Sequence, residues 1–285
     1  MVWSCLVSIL PGMAQTEKLT DYVNPFVGTD GYGNVYPGAQ IPFGGIQMSP
    51  DTDSRFYDAA SGYKYNHLTL MGFSLTHLSG TGIPDLGDFL FIPGTGEMKL
   101  EPGTHEDPDK GYRSRYSHDK EWASPNYYAV ELADYGVKAE MTSGVRSGMF
   151  RFTYPESDSA FIMIDMNHTL WQSCEWSNLR MINDSTITGY KLVKGWGPER
   201  HVYLTATFSK KLTGLRFMQD KKPVIYNTSR FRSSYEAWGK NLMACLSFDT
   251  KAGEEVIVKT AVSAVSTDGA RNNMKELDGL TFNEL

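Results

Sequence analysis

Hydrophobic and polar positions along this chain alternate in short runs broken by turn residues. Tyr127–Leu132 (YYAVEL), Val137–Thr142 (VKAEMT) and Met149–Tyr154 (MFRFTY) have the composition and bounds of strands. Phe161–Asp165, Thr186–Tyr190, Val202–Phe208, Leu242–Phe248 and Glu255–Ala264 continue the series. Turn signals every ~8–12 residues predict an all-β fold, a sandwich or a barrel of antiparallel strands. Two runs, Val137-Lys-Ala-Glu-Met-Thr and Val256-Ile-Val-Lys-Thr-Ala-Val, have the alternation of a sheet with one wet face. Helical periodicity is confined to the end. Asp268–Leu277 and Leu280–Leu285 are predicted to start helices, with Asp268 as candidate N-cap.

The chain is organised around Gly72–Pro93, GFSLTHLSGTGIPDLGDFLFIP. Two apolar, strand-like runs flank a centre too rich in glycine for a regular element. Within six residues that centre holds an imidazole (His77), two hydroxyls (Ser79 and Thr81) and two glycines that let a ligand approach the backbone. A second loop of the same kind precedes it. Thr29–Gly38 carries Tyr32, Asn34 and Tyr36 on alternate positions, between short strands predicted near Val23–Val27 and Gly44–Met48. Two such loops in one domain predict a shared surface that offers hydrogen bonds to something small and polar.

Composition narrows the partners. The 285 residues are 41% hydrophobic and 21% charged, an ordinary globular balance for one large domain or two modest ones. The net charge of −6 argues against nucleic acid or an anionic membrane as partner. No apolar run reaches the ~18 residues of a membrane span. Aromatic residues make up 13% of the chain, with 16 Tyr and 6 Trp, which suits either sheet packing or the stacking of sugar rings. Trp196 lies in Lys194-Gly-Trp-Gly-Pro198, where the glycines and proline predict a loop that projects its ring. The first residues form an apolar stretch ending in small residues, with Gly12 and Ala14 before a cut at Gln15. That is a secretory pattern without the usual basic start. Cys174 and Cys245 remain after such a cut, and the sequence leaves open whether they pair.

The motifs give no self-contained catalytic constellation. His77, Ser79 and Asp85 lack the spacing of a nucleophile elbow. A metal site from His77, Asp85, Asp88 and Asp30 has no supporting ligand spacing. Gly28, Gly31 and Gly33 precede no helix, which counts against a dinucleotide site. Asp51 and Asp53, in Ser-Pro-Asp-Thr-Asp, read as turn formers.

Three segments together carry a family resemblance. Asp21–Thr52 (DYVNPFVGTDGYGNVYPGAQIPFGGIQMSPDT), Ser61–Pro93 (SGYKYNHLTLMGFSLTHLSGTGIPDLGDFLFIP) and Gly189–Lys210 (GYKLVKGWGPERHVYLTATFSK) resemble the amino-terminal domain of glycoside hydrolase family 92. These are calcium-dependent exo-acting α-mannosidases, mostly bacterial. The resemblance implies an amino-terminal β-sandwich joined through a helical linker to an (α/α)6 barrel. The barrel would supply acid, base and calcium ligands, and the active site would lie between the two. One departure is in the first loop. The family pattern Gly-His-Gly-His-Thr-Phe-Pro-Gly is here Gly31-Tyr-Gly-Asn-Val-Tyr-Pro-Gly38, so Tyr32 and Asn34 replace two imidazoles.

The expectations are therefore these. Residues 1–14 are a signal peptide, 15–266 an all-β domain built as a large antiparallel β-sandwich, and 267–285 the start of a linker to a missing barrel. The chain itself holds no catalytic carboxylate and no metal ligand set, with Ca2+ implied for the complete enzyme. Tyr32, Asn34, Tyr36, His77, Ser79, Thr81 and Trp196 are the residues expected to hold a mannose-containing glycan. The partners are that glycan and the carboxy-terminal catalytic domain, and the setting is secreted or periplasmic. A stand-alone glycan-capture module is the competing reading.

Overall fold

The structure, a computed structural model, describes residues 18–54, 57–225 and 235–285. The predicted signal segment lies outside the described residues. Among those residues the strands form a seven-stranded sheet, a nine-stranded sheet and one two-stranded pair. In order, the seven-stranded sheet runs Ser49–Asp51, Gly72–Ser74, Leu90–Thr95, Ser157–Asp165, Leu242–Thr250, Gly214–Gln219 and Lys222–Pro223. The nine-stranded sheet runs Glu236–Gly239, Ser173–Asn183, Thr186–Lys194, Arg200–Phe208, Glu254–Ser263, Ser147–Tyr154, Val137–Ser143, Tyr127–Leu132 and Glu121–Ser124. The recorded pairings are antiparallel, so the expected all-β sandwich is what the chain builds.

The two sheets close on one apolar core. Phe73 and Phe91 of one sheet meet Phe150 and Phe152 of the other, with Phe91 and Phe150 centroids 5.2 Å apart. Each such fully buried ring contributes about 2 kcal/mol of transfer free energy. The seven-stranded sheet is buried on its second face as well. Leu90, Ile92, Phe161, Met163, Met243 and Cys245 form another cluster there, roofed by Met71, Tyr112, Met98 and Leu100. This double burial explains why Leu90–Ile92 and Phe161–Ile164 read as continuous apolar runs rather than alternating ones.

The end of the chain docks on the outer face of the nine-stranded sheet. A short helix, Thr267–Asn273, continues as a 3-10 turn over Met274–Leu277. Leu277 and Phe282 cover Met149 and Ile257, and Arg151 lies over the Phe282 ring at 4.2 Å. Lys259 donates to the carbonyls of Leu277 and Leu280, and Glu276 accepts from Arg146 and Ser147.

Several local expectations are corrected. Ser266, not Asp268, is the N-cap, because its hydroxyl accepts the amide of Gly269. Leu280–Leu285 forms a turn rather than a helix. Val23–Val27 is not a strand, since a 3-10 turn at Leu19–Tyr22 leads into further turns. Gly44–Met48 reduces to a single bridge between Met48 and Ala39, and pairing begins properly at Ser49. In both segments the glycines, prolines and polar side chains hold the backbone in turns that short apolar runs cannot override. Cys174 and Cys245 are free and buried, and burial pushes the Cys245 thiol up to about 12.

Candidate functional site

The two glycine-rich loops meet. The amide of Gly80 donates to the carbonyl of Asn34 at 2.7 Å, so the surface expected from sequence is a joined one. The first loop depends on one close approach and one left-handed residue. A Cβ on Gly33 would lie 2.1 Å from the carbonyl oxygen of Gly28, and Asn34 itself takes a left-handed φ of 51°. The buried Lys64 side chain reaches into this loop, donating to the carbonyl of Gly31 with its ammonium 6.0 Å from the Tyr32 ring.

The seven predicted residues divide by exposure into three groups. Tyr32 is 91% exposed, and Ser79 and Trp196 also face solvent. Asn34 and Thr81 are half-buried at the junction, with the Thr81 hydroxyl donating to the carbonyl of Ile83. Tyr36 is buried, donates its phenol to Gln40 and packs on His77 with centroids 5.0 Å apart. Burial pushes the Tyr36 phenol well above its ordinary value, so it remains a donor.

His77 does not point to the open surface. Its side chain is fully enclosed, with Nδ1 2.8 Å from the carbonyl of Gln47 and Nε2 2.8 Å from Asp51 Oδ1. The other oxygen of Asp51 takes His168 Nε2 at 2.8 Å. Burial alone would raise the Asp51 carboxyl, but the two imidazoles outweigh it and hold the group well below the usual carboxylate range. Ser74 Oγ also lies 3.1 Å from His77 Nε2. Serine and aspartate thus share one ring nitrogen, whereas a nucleophilic triad needs them on opposite nitrogens. Ser74 is moreover fully buried. The Ser/His/Asp reading is excluded for this histidine.

The suspected metal group is also dispersed. Asp88 is fully buried, with its oxygens taken by Arg200, Lys191 at 3.2 Å and the hydroxyl of Thr76 at 2.7 Å. Burial opposes ionisation, yet Lys191, Arg200 and Thr76 hold the Asp88 carboxyl down at about 2. Asp85 accepts the amide of Leu86. Among the described residues no group of three or more His, Cys, Asp or Glu is placed to hold a metal ion. The described side chains do not fit a calcium site.

Sequence reasoning missed Tyr57. Its ring edge lies 3.8 Å from where a Gly82 Cβ would stand, beside the Asn34 amide, and the ring is 60% exposed. Its signal was an aromatic residue inside an otherwise polar turn segment. Trp196 stands apart from these rings. Its loop packs on Gln172 and approaches Asp85, and Gln172 in turn donates to the carbonyl of Pro84.

The architecture defines an antiparallel β-sandwich domain whose clustered loops present aromatic rings and neutral hydrogen-bonding groups. The model of the glycosyl hydrolase family 92 N-terminal domain matches residues 22–263, and the chain belongs to that family. It is 97% identical to the GH92 α-mannosidase BT3965 of Bacteroides thetaiotaomicron, solved in complex with mannoimidazole, with a TM-score of 0.92. That similarity covers 94% of this chain and 35% of the solved one. The GH92 glycosyl hydrolase ccman5 is 28% identical with a TM-score of 0.77, over 93% of this chain and 35% of its own. An uncharacterised secreted glycosidase of Arthroderma benhamiae is 29% identical over 140 residues, 48% of this chain and 18% of its own length. The chain therefore spans about a third of the solved relatives' length.

Proposed function

We propose that this chain is the substrate-binding domain of a secreted exo-α-mannosidase that removes terminal α-linked mannose from glycans with inversion. The observation that carries this reading is the joined loop surface, considered with the family. Tyr32, Tyr57, Asn34, Ser79 and Thr81 offer ring faces, hydroxyls and an amide, which suit sugar hydroxyls and C–H faces. Their role is to hold and orient the sugar. Proton transfer needs a different set. An inverting glycosidase places two carboxyl groups about 6.5–9.5 Å apart around a water. Here the buried carboxylates behind the loops, Asp51 and Asp88, are each committed to two cationic or imidazole partners.

Acid, base and calcium ligands are accordingly assigned to a further domain, and the chain alone is expected to have no turnover. His77, Asp51 and His168 set the backbone geometry from which the loops spring. The test is release of mannose from an α-linked mannobiose. The 285-residue chain should release none above buffer, while a longer protein carrying this domain and the barrel should. Turnover by the chain alone would overturn the division of labour.

A further inference from the structure

We propose that a second cleft, lined by no residue of the joined loops, is a binding site for a neutral oligosaccharide. The cleft has a volume of about 970 Å3 and lies between the outer face of the seven-stranded sheet, the Leu100–Pro102 segment and the Asn167–Cys174 turn. That volume is in the range of sites for organic ligands, about 300–1,000 Å3. None of Tyr32, Asn34, Ser79, Thr81 or Trp196 lines it.

Three observations point to a ligand. The first is Trp171, which stands on the wall with its ring 64% exposed and a φ of 72°. A bulky residue in the left-handed region is strained and persists only where neighbours impose it. Here the amide of Leu170 donates to Leu86 and the hydroxyl of Thr169 donates to the carbonyl of Gln172. The strain keeps an indole face turned outward, as stacking on a sugar requires.

The second observation is an unmet hydrogen-bonding atom. Gln172 Oε1 is buried with no partner, although its amide nitrogen is fixed on Pro84. His168 is held through Nε2 on Asp51. Both residues line the cleft. A buried polar atom is normally satisfied, so an unmet acceptor on a side chain that lines a roomy polar cleft calls for a donor such as a ligand hydroxyl.

The third is the charge balance. Lys221 pairs with Glu101, Lys240 pairs with Glu175 at 3.0 Å, and Asp220 accepts from Asn241 at 2.7 Å. Among the described residues the rim thus leaves no unpaired cation to recruit an anion. On the floor Asp165 accepts the amide of Asn167 and faces the Tyr112 phenol, which burial keeps protonated. Ring faces with hydroxyl-matching acceptors and donors, and no spare positive charge, select a neutral polyhydroxyl ligand.

The identity of the sugar as a mannoside rests on the proposed function; the cleft itself does not. The test is calorimetric titration of the 285-residue chain with α-1,2-mannotriose and, separately, with maltotriose. Mannotriose should bind at millimolar concentration. Trp171→Ala should weaken it at least tenfold and Asn167→Ala should weaken it too. Both side chains are exposed, so the variants should fold, and Trp122→Ala on the far edge strand should bind as the unaltered chain does. Binding of maltotriose alone, lost in Trp171→Ala, supports the cleft while counting against mannose as its sugar. Failure of the unaltered chain to bind either sugar overturns the cleft and leaves the mannosidase reading standing. Binding lost in Tyr32→Ala but kept in Trp171→Ala places the sugar on the loops and also overturns it.

Discussion

His77 Nε2 lies 2.8 Å from Asp51 Oδ1, with both side chains fully shut off from solvent. Asp51 also accepts from His168, so one carboxylate ties the central loop segment to the turn after the Ser157–Asp165 strand. Removing it would leave two buried imidazoles facing each other without an acceptor. Asp51→Ala is therefore expected to cost about 3–5 kcal/mol, the usual range when one partner of a buried polar pair is removed. The urea midpoint checks this. A variant within 1 kcal/mol (roughly the range of ordinary surface substitutions) would show that the cluster does not anchor the loops.

Acid should destabilise the fold through Asp88 in a defined window. Its carboxyl is held at about 2 in the folded chain, against an ordinary 3.8. A folded value below the unfolded one means that the stabilisation is fully present above 3.8 and is lost as pH falls toward 2. By linkage the contribution is about 2 kcal/mol. Stability measured between pH 5 and pH 2 (a range of roughly three units around the linkage window) should fall more steeply in the unaltered chain than in Asp88→Asn. Parallel slopes would refute the assignment. At neutral pH the same variant should already be weaker, because Lys191 is buried beside the lost charge.

Two glycines in the joined loops should respond differently to alanine. Gly80 has a φ of 76° and open space around its Cβ position, so Gly80→Ala should cost only the backbone term of about 1–2 kcal/mol. Gly33→Ala would drive a methyl to 2.1 Å from the Gly28 carbonyl, and the whole loop must reopen. Thermal midpoints should rank Gly33→Ala below Gly80→Ala, and the reverse order would mean that the close approach is not required.

On the loop surface, Tyr32→Ala and Tyr57→Ala should leave stability almost unchanged, since both rings are largely exposed. In a longer mannosidase carrying this domain, each should lower kcat/KM for a dimannoside about tenfold, the equivalent of about 1.4 kcal/mol of lost stacking. Unaltered kinetics in both variants would remove these rings from the site.

Much of the fold was legible because strands such as Met149–Tyr154 and Val202–Phe208 carry their burial pattern locally, in period two or in unbroken apolar runs. The loops were legible by composition, and their meeting at Gly80 and Asn34 followed from their likeness. Tyr57 was not legible, because nothing in a polar turn says which way an aromatic ring faces. Ser173–Asn183 was missed as a strand for a related reason. Its buried positions include Ser177 and Asn178, which bond to Gly239 and Ala237 rather than being buried by apolarity.

By itself the sequence determined the all-β architecture, the two glycine-rich loops and the family, since each rests on local patterns or contiguous motifs. Only the tertiary structure decided the role of His77. Its partner Asp51 sits 26 residues away and His168 lies 117 residues from Asp51, on neighbouring parts of one sheet. A histidine's role depends on what faces its two nitrogens, and that is set by the strand order within the seven-stranded sheet. The residue that promised an open polar site is instead the enclosed anchor behind it.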